Sequence, residues 1–493
     1  MIKRYSDEVI TGRWTNEEKL RTWQKVELAV IGARVKLKLV PREIFEKIKN
    51  ILESTPVDIE WWLARDKEIN HDLQAWVDER VRHLPVELQS YFHDGMTSYD
   101  TEETASLILL ELSAKHVVSS CKALEFGLQS LALRYRYCPM MGTSHGQSGE
   151  VQTAGKRFLT WYKEVFVAKQ RVADEISKIS LSRLSGAMGN YGGVTPKIEK
   201  EALDILGFMP FYGATQILPR QLHVHLATSL SALVAVISKI GTDIRLGARS
   251  PHPIYQEPFS KTQKGSSRMP GKKNPISCEQ LEGMERMALG YLVMIHQNIR
   301  TWEERAIEQS CVERVAWPDL FHVAMRSVTV CAKVINGLQV YPDRMIQGIV
   351  DTRGVWAAGQ AKEFLRLHLA PMGLTADESY RIVQLAAFVA HRPNDLVKKM
   401  RENLPGSLAE ADKLVNRQRF ISTSSEMSIQ DIISQAKLVV VPDLDATQEQ
   451  VDKWNEALKT LFVSLDGSEW QNVFSIQDRL KDEAVLFKEV IGV

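Results

Sequence analysis

The residues best suited to chemistry lie in one stretch, Gly265 to Pro275, which reads GSSRMPGKKNP. Two adjacent serines, three cations (Arg268, Lys272, Lys273), an asparagine and two prolines share these eleven residues. With the polar run Phe259 to Lys264 before it, the segment shows neither a 3.6-residue nor a 2-residue hydrophobic period, so it is a loop. Glycine and serine allow such a loop to close over a ligand and reopen. Its donors and cations fit a substrate with several carboxylates. A plain linker between helices has no need of paired serines followed by Lys272-Lys273-Asn274-Pro275.

Further compact polar runs interrupt otherwise regular helical patterns. They are Asn70-His71-Asp72, His93 to Asp100 (HDGMTSYD), Gly142 to Glu150 (GTSHGQSGE), Thr215-Gln216, and Glu304 to Arg314. Loops held by a rigid bundle are where binding groups usually sit. Each run also has a plainer role. His71-Asp72 can be a surface or capping pair, Thr97-Ser98 can cap the next helix, and Arg305 and Arg314 can be helix-surface charges. Arg4-Tyr5 can be a frayed terminus. His145 stands out, because small neighbours leave it accessible. Gly146-Gln147-Ser148-Gly149 fails as a nucleophile elbow: Glu150 occupies the last glycine position and no strand is expected before it. Gly186 to Gly193 lacks a strand–turn–helix setting for a dinucleotide. His223 and His225 diverge on a helix and cannot chelate one metal. No metal and no organic cofactor is expected.

The elements that must position these loops are helical nearly throughout. Thr15 with Glu18 reads as a capping box, after which Leu20, Trp23 and Val30 share a face. Pro41 opens a helix with Ile44, Ile48, Ile51 and Leu52 at helical spacing. Segments 102–133, 150–182, 222–249 and 276–310 are each long enough for helices of about 40 Å or more at roughly 1.5 Å per residue. Lys437 to Val441 (KLVVV) is the clearest strand-like run. Breaks are expected near Ser98–Thr104 and Pro371–Gly373, and the tail after about Pro442 reads as an appended piece. Long helices with short connections imply a bundle, and their wide apolar faces imply a homo-oligomer.

Composition narrows the functional classes. The 493 residues carry 62 lysines and arginines against 61 acidic residues, a net charge of +1. That balance argues against a nucleic-acid or membrane-surface partner, which needs a basic excess. Hydrophobic content of 44% and charged content of 25% suit a globular protein with a large core. The cysteines are five (Cys121, Cys138, Cys278, Cys311, Cys331), without a C-x-x-C pair, which fits reduced thiols in a cytoplasmic setting. The polar start MIKRYSDEV has no signal-peptide core. Leu226 to Ser238, the longest uncharged stretch near the middle, is too short to span a bilayer and is expected to be a helix buried on all sides.

Taken together, these motifs resemble the fumarase/aspartase superfamily. The serine loop is similar to its GSSxMPxKxNP signature. Within it, RYSDEVITGRWTNEEKLRTWQKVELA, EINHDL, HDGMTSYD, TSHGQ, TQILPR and WEERAIEQSCVERVAWPD resemble, in order, the adenylosuccinate lyase family. The resemblance runs from Arg4 to about residue 390. It implies an all-α, three-domain lyase fold with a central long-helix bundle, divided as 1–104, 105–364 and 365–493. It also implies a cytoplasmic homotetramer whose active sites are shared between subunits.

The implied reaction is β-elimination of fumarate from a succinylated nitrogen. Proton abstraction beside a carboxylate leaves an aci-carboxylate dianion, which preorganised donors and cations must hold. By the resemblance Ser266 is the general base, ionised only when the loop closes and water leaves. His145 is the general acid, Glu279 pairs with it, and His71 orients substrate or assists the acid. Lys272 and Asn274 stabilise the dianion. Asn70, Asp72, Thr97, Ser98, Gln216, Ser267 and Met269 contact substrate. Arg4, Tyr5, Arg305, Ser310 and Arg314 form the phosphate and ribose site, in keeping with guanidinium recognition of phosphate.

Several positions depart from the family pattern. Arg268 stands where a small residue is usual, and Gly271 replaces a histidine. Family R-T-H-G reads Thr143-Ser144-His145-Gly146, P-T-T reads Val151-Gln152-Thr153, and Ala306 removes a charge beside Arg305. These changes bear on substrate identity more than on reaction type. The alternatives are a sister lyase acting on another amine, or a lyase-fold scaffold without activity.

Overall fold

The computed structural model describes residues 1–392, 398, 404–417 and 427–493. The described chain forms two compact units. One comprises 1–129, 160–250 and 255–339; the other comprises 130–159, 251–254 and 340–493. Both are helical, with only short strands, as expected for an all-α protein.

The first unit is built on long helices. They include α1 (Asn16–Lys36), α2 (Arg42–Ser54), α3 (Ile59–Ile69), α4 (Asp72–Val81), α5 (Ser98–Arg134), α6 (Ala154–Lys178), α7 (Gln221–Gly247), α8 (Ile276–Gln297) and α9 (Glu308–Asn336). Helices α5 and α6 continue into the residues of the second unit. α7, α8 and α9 pack on one another, and α1 packs on the helix Pro196–Leu206. That last helix shows how sequence sets its limits. Thr195 caps it, Pro196 opens it, and Gly207 ends it at φ +83.

Several expected boundaries move. The Thr15 hydroxyl accepts from Glu18 N at 3.2 Å, but the Glu18 carboxylate turns to Arg21, so only half of the box forms. Pro41 does open α2, burying Ile48 and Leu52. α5 begins at Ser98 and runs unbroken through Thr104, where a break was expected. The predicted helix 276–310 is two helices: α8 ends at Gln297, and a turn including Glu303 at φ 51 precedes α9. α7 is not buried on all sides. His225, Thr228 and Ala232 form an exposed stripe on an otherwise core helix. It is also long and apolar enough to cross a membrane, but most of its apolar stretch is buried.

The second unit holds a β-hairpin where a loop was expected. β1 (Pro139–Ser144) pairs antiparallel with β2 (Gln147–Thr153), with Ser144 opposite Gln147. His145 and Gly146 are the two turn residues, at φ 54 and 74, as a type I′ turn requires. A strand therefore does precede Gly146-Gln147-Ser148-Gly149, but a strand follows it too, so the elbow geometry is still missing. The core of this unit joins the helices Ala358–Leu369 and Ala376–Ala390 to Gln448–Ser464 through Leu365, Ile382, Trp454, Leu458 and Leu461. The tail is thus part of the core and no appendage. The helix Glu483–Ile491 returns to β2, where Thr153 donates to the Glu483 carboxylate through Oγ1 (2.6 Å) and N. Lys437 to Val441 forms no strand. Its ladder partner is a single side chain: Asn455 accepts from Leu438 N (3.1 Å) and donates to Leu438 O (2.9 Å).

Candidate active site

In the first unit, three separate segments, 66–72, 98–102 and 305–314, meet at one cavity. Asn70 ends α3 in the left-handed region (φ 53), which lets His71 cap α4 at once. His71 Nδ1 accepts from Gln74 N at 3.2 Å, so the neutral ring carries its proton on Nε2. That nitrogen lies 3.5 Å from the Ser98 hydroxyl at the start of α5. Asp66, Asn70, His71, Asp72, Ser98, Glu102, Arg305, Ile307 and Arg314 enclose about 270 Å³.

Two arginines supply the positive charge. Arg314, on α9, pairs with Asp72 at 2.8 Å and with Glu102 at 3.5 Å. Arg305 lies 4.0 Å from the Tyr99 ring centre and donates to the Gln216 side-chain oxygen at 3.0 Å. Gln216 is fixed in turn, because its side-chain amide donates to Ala187 O and its main-chain carbonyl accepts from Arg183. Thr215 holds the approach to Arg305 by donating to Glu304 O at 2.8 Å.

The loop HDGMTSYD owes its position to buried charge. His93 contacts Glu27 at 2.7 Å, Arg34 reaches Asp94, and Asp100 pairs with fully buried Arg183 at 2.9 Å. Asp100 also accepts from Thr97 N at 2.8 Å and from Gly186 N. Gly95 (φ +66) lies backbone to backbone against Gly193, an approach that any side chain at 193 would block. These contacts, not propensity, place Thr97 and Ser98.

The serine loop closes on itself. Asn274 donates to Gly265 O at 3.0 Å, and Met269 N donates to the Ser266 hydroxyl at 3.1 Å. Ser267, Met269 and Lys272 are exposed. Glu257, buried beside the N-terminus of α8, accepts from Ser277 N and Cys278 N and so anchors the end of the loop. Glu279 follows within the same first turn of α8, 4.0 Å from Arg245. The loop's side chains do not line the cavity of His71 and Arg314.

The remaining expected residues are placed apart. His145 stands exposed at the tip of the β1–β2 hairpin, in the second unit. Arg4 and Tyr5 form a short 3₁₀ turn, with Tyr5 5.9 Å from Arg326. Arg326 is three turns along α9 from Arg314, about 18 Å at roughly 1.5 Å per residue. Within one chain, Arg4 and Tyr5 therefore do not reach the cavity. Ser310 is buried and lines an adjoining cavity of about 220 Å³, which shares Glu102 and Arg314 with the first.

That adjoining cavity contains groups to which the sequence alone assigns no role in the site. Lys19, Tyr99, Glu102, His223 and Glu313 face it. Burial, with Asp72 nearby, pushes Glu102 up to about 7. Burial also raises Glu313 to about 7 and lowers His223 to about 4, the latter helped by Arg220. Burial opposes ionisation of Glu103 as well, but Arg220, 2.8 Å away, holds its pKa low. The available signal was Asp100-Thr101-Glu102-Glu103 at the head of an apolar helix, which reads as ordinary helix-dipole complement. Among the described residues, no group of three or more His, Cys, Asp or Glu is placed to hold a metal ion.

With this geometry, comparison with known proteins defines the class. The model of the family described as Lyase matches residues 1–290. Two solved structures share the fold: a fumarate lyase from Mesorhizobium sp. BNC1 and a beta-carboxy-cis,cis-muconate cycloisomerase from Acinetobacter calcoaceticus sp. ADP1. The first has TM-score 0.74 and 19% identity over 100% of this chain and 99% of that one. The second has TM-score 0.72 and 17% identity over 99% and 98%. Curated relatives are more specific. An adenylosuccinate lyase of Thermotoga maritima is 36% identical over 384 residues, 78% of this chain and 87% of that protein. That of Bacillus subtilis is 30% identical over 79% of this chain and 89% of its own length. The chain belongs to the adenylosuccinate lyase family within the lyases of the fumarase/aspartase superfamily.

Proposed function

We infer that this protein cleaves adenylosuccinate to AMP and fumarate, and that it also releases fumarate from succinylaminoimidazole carboxamide ribotide in purine biosynthesis. The observation that carries this is the meeting of Asn70, His71, Asp72, Ser98, Arg305 and Arg314 around one cavity, with Gln216 fixed to Arg305. Arg305, Ser310 and Arg314 suit a phosphate, since guanidinium forks and a hydroxyl match its oxygens.

The chemistry is the one the family resemblance implies, and the residue types suit it. Ser266 removes the proton from the carbon next to a carboxylate once the loop has shut out water. Lys272, Asn274 and backbone N–H groups of the loop hold the resulting dianion. His145 delivers a proton to the departing nitrogen, with Glu279 as its partner. His71 presents Nε2–H as a donor to substrate, a role its capping bond to Gln74 prepares. Ser267, Met269, Thr97 and Ser98 complete the contacts to the succinyl and base portions. Arg4 and Tyr5, held far along α9, serve the cavity of a neighbouring subunit, and the assembly is a cytoplasmic homotetramer with three domains per chain.

The test is fumarate release from the purified protein, followed by absorbance. Adenylosuccinate and the carboxamide ribotide should turn over, and argininosuccinate and aspartate should not. Turnover of either of the latter without the nucleotides assigns the chain to a sister lyase. No fumarate from any of them assigns it to an inactive scaffold.

A further inference from the structure

The cavity between Asp72 and Arg314 is already charge-balanced before any ligand enters. Asp66, Asp72 and Glu102 supply three carboxylates. Arg305 and Arg314 supply two cations, and Lys19 faces Glu102 from α1 through the adjoining cavity. His71 lines the same space, and the ring of Tyr99 backs Arg305. Behind Glu102, Glu103 and Glu313 are both paired with Arg220, and His223 is buried beside them. A phosphate dianion bound at Arg305 and Arg314 adds two negative charges that no cation in this set balances.

Which group yields is decided by solvation. Arg314 is held by two carboxylates at once, Asp72 at 2.8 Å and Glu102 at 3.5 Å. Asp72 has the closer pairing and also accepts from Leu73 N at the N-terminus of α4. Glu102 has the longer pairing and is 8% exposed, so it is the carboxylate least able to stay ionised next to an incoming dianion.

We propose that Glu102 is the counter-ion that Arg314 exchanges for the ligand's phosphate, and that it takes up a proton from solvent as the nucleotide binds. This rests on the nucleotide-cleaving function above. The balance is simple: one carboxylate oxygen of Glu102 gains one proton, and the guanidinium of Arg314 turns from that carboxylate to the phosphate. Burial has already moved Glu102 up to about 7, so the uptake falls at neutral and mildly alkaline pH. Phosphate itself is dianionic there, with its second ionisation near pH 6, so it does not account for the proton.

The experiment is calorimetric titration of the intact protein with AMP at pH 6.5 to 9, in two buffers of different ionisation enthalpy. The wild type should take up close to one proton per AMP at pH 8, and its affinity should fall by up to about tenfold per pH unit above 7. Glu102→Gln should take up none, lose that pH slope, and bind AMP more tightly than the wild type at pH 8.5 to 9. A merely structural role for Glu102 would weaken binding at every pH and leave the slope. AMP binding without proton uptake in the wild type overturns the inference alone, whatever becomes of the variant. No AMP binding at any pH overturns the nucleotide function and this inference with it.

Discussion

Gly265→Ala gives the sharpest test of the serine loop as a machine part. A Cβ built at Gly265 overlaps the Lys272 carbonyl oxygen outright, and lies 3.1 Å from its carbon and 3.2 Å from Phe259 Cε2. The backbone of Gly265 and Lys272 must part by about 1 Å before normal carbon–oxygen contact returns. That parting pulls at the bond from Asn274 to Gly265 O, which now closes the base of the loop. Ser266 and Lys272 sit directly on the two displaced strands. A displacement of about 1 Å in a catalytic array costs on the order of 100-fold in rate, or about 2.7 kcal/mol in the barrier. Fold stability should hardly change, because the tip of the loop is exposed and contributes little to the core. The assay is kcat for fumarate release beside thermal melting of the same preparation. A variant that melts like the wild type and loses about two orders of magnitude in kcat agrees with the geometry. A kcat within threefold of the wild type refutes the idea that this closed base positions the chemistry.

Two further outcomes follow from the side-chain geometry. Arg314→Ala should raise KM for the nucleotide roughly 10- to 100-fold, the range for a lost charge-assisted hydrogen bond, with kcat less affected; an unchanged KM removes Arg314 from the phosphate site. Glu378 caps the helix Ala376–Ala390 and accepts from Lys453 at 2.8 Å, which with the Thr375 and Trp454 donors lowers it to about 2. A depressed carboxylate contributes stability in full above its ordinary value near 4.5 and loses it as pH falls through about 2. Glu378→Gln should therefore be less stable than the wild type in denaturant melts at pH 7, and the gap should close near pH 2. A gap that persists there contradicts the pairing.

The helices were legible because apolar spacing encodes them directly. Ile48 and Leu52 fell inward as their period required, and Leu20, Trp23 and Val30 did the same. What failed was local structure fixed by distant partners. Lys437 to Val441 has strand composition, but Asn455 answers its backbone instead of a second strand. The hairpin around His145 was hidden because its strands, PMMGTS and QSGEVQT, are rich in Gly, Ser and Thr; the turn residues His145-Gly146 were its only marker. For the site, residue types in loops were visible, and the cavity gathers Asn70, His71, Asp72, Ser98, Arg305 and Arg314. Glu102 and Tyr99 were not visible, since an acid and an aromatic in the first two turns of a helix look ordinary until burial makes them consequential. His145, in the second unit, and the serine loop, in the first, are joined by no sequence signal other than family resemblance.

The most direct measurement is turnover and AMP binding of Ser266→Ala, taken on one preparation. If that hydroxyl removes the proton, fumarate release should fall by several orders of magnitude while AMP binds within a few fold of the wild type, because a base contributes only in the transition state. A Ser266→Ala protein that still releases fumarate at a tenth of the normal rate or faster would place the base elsewhere.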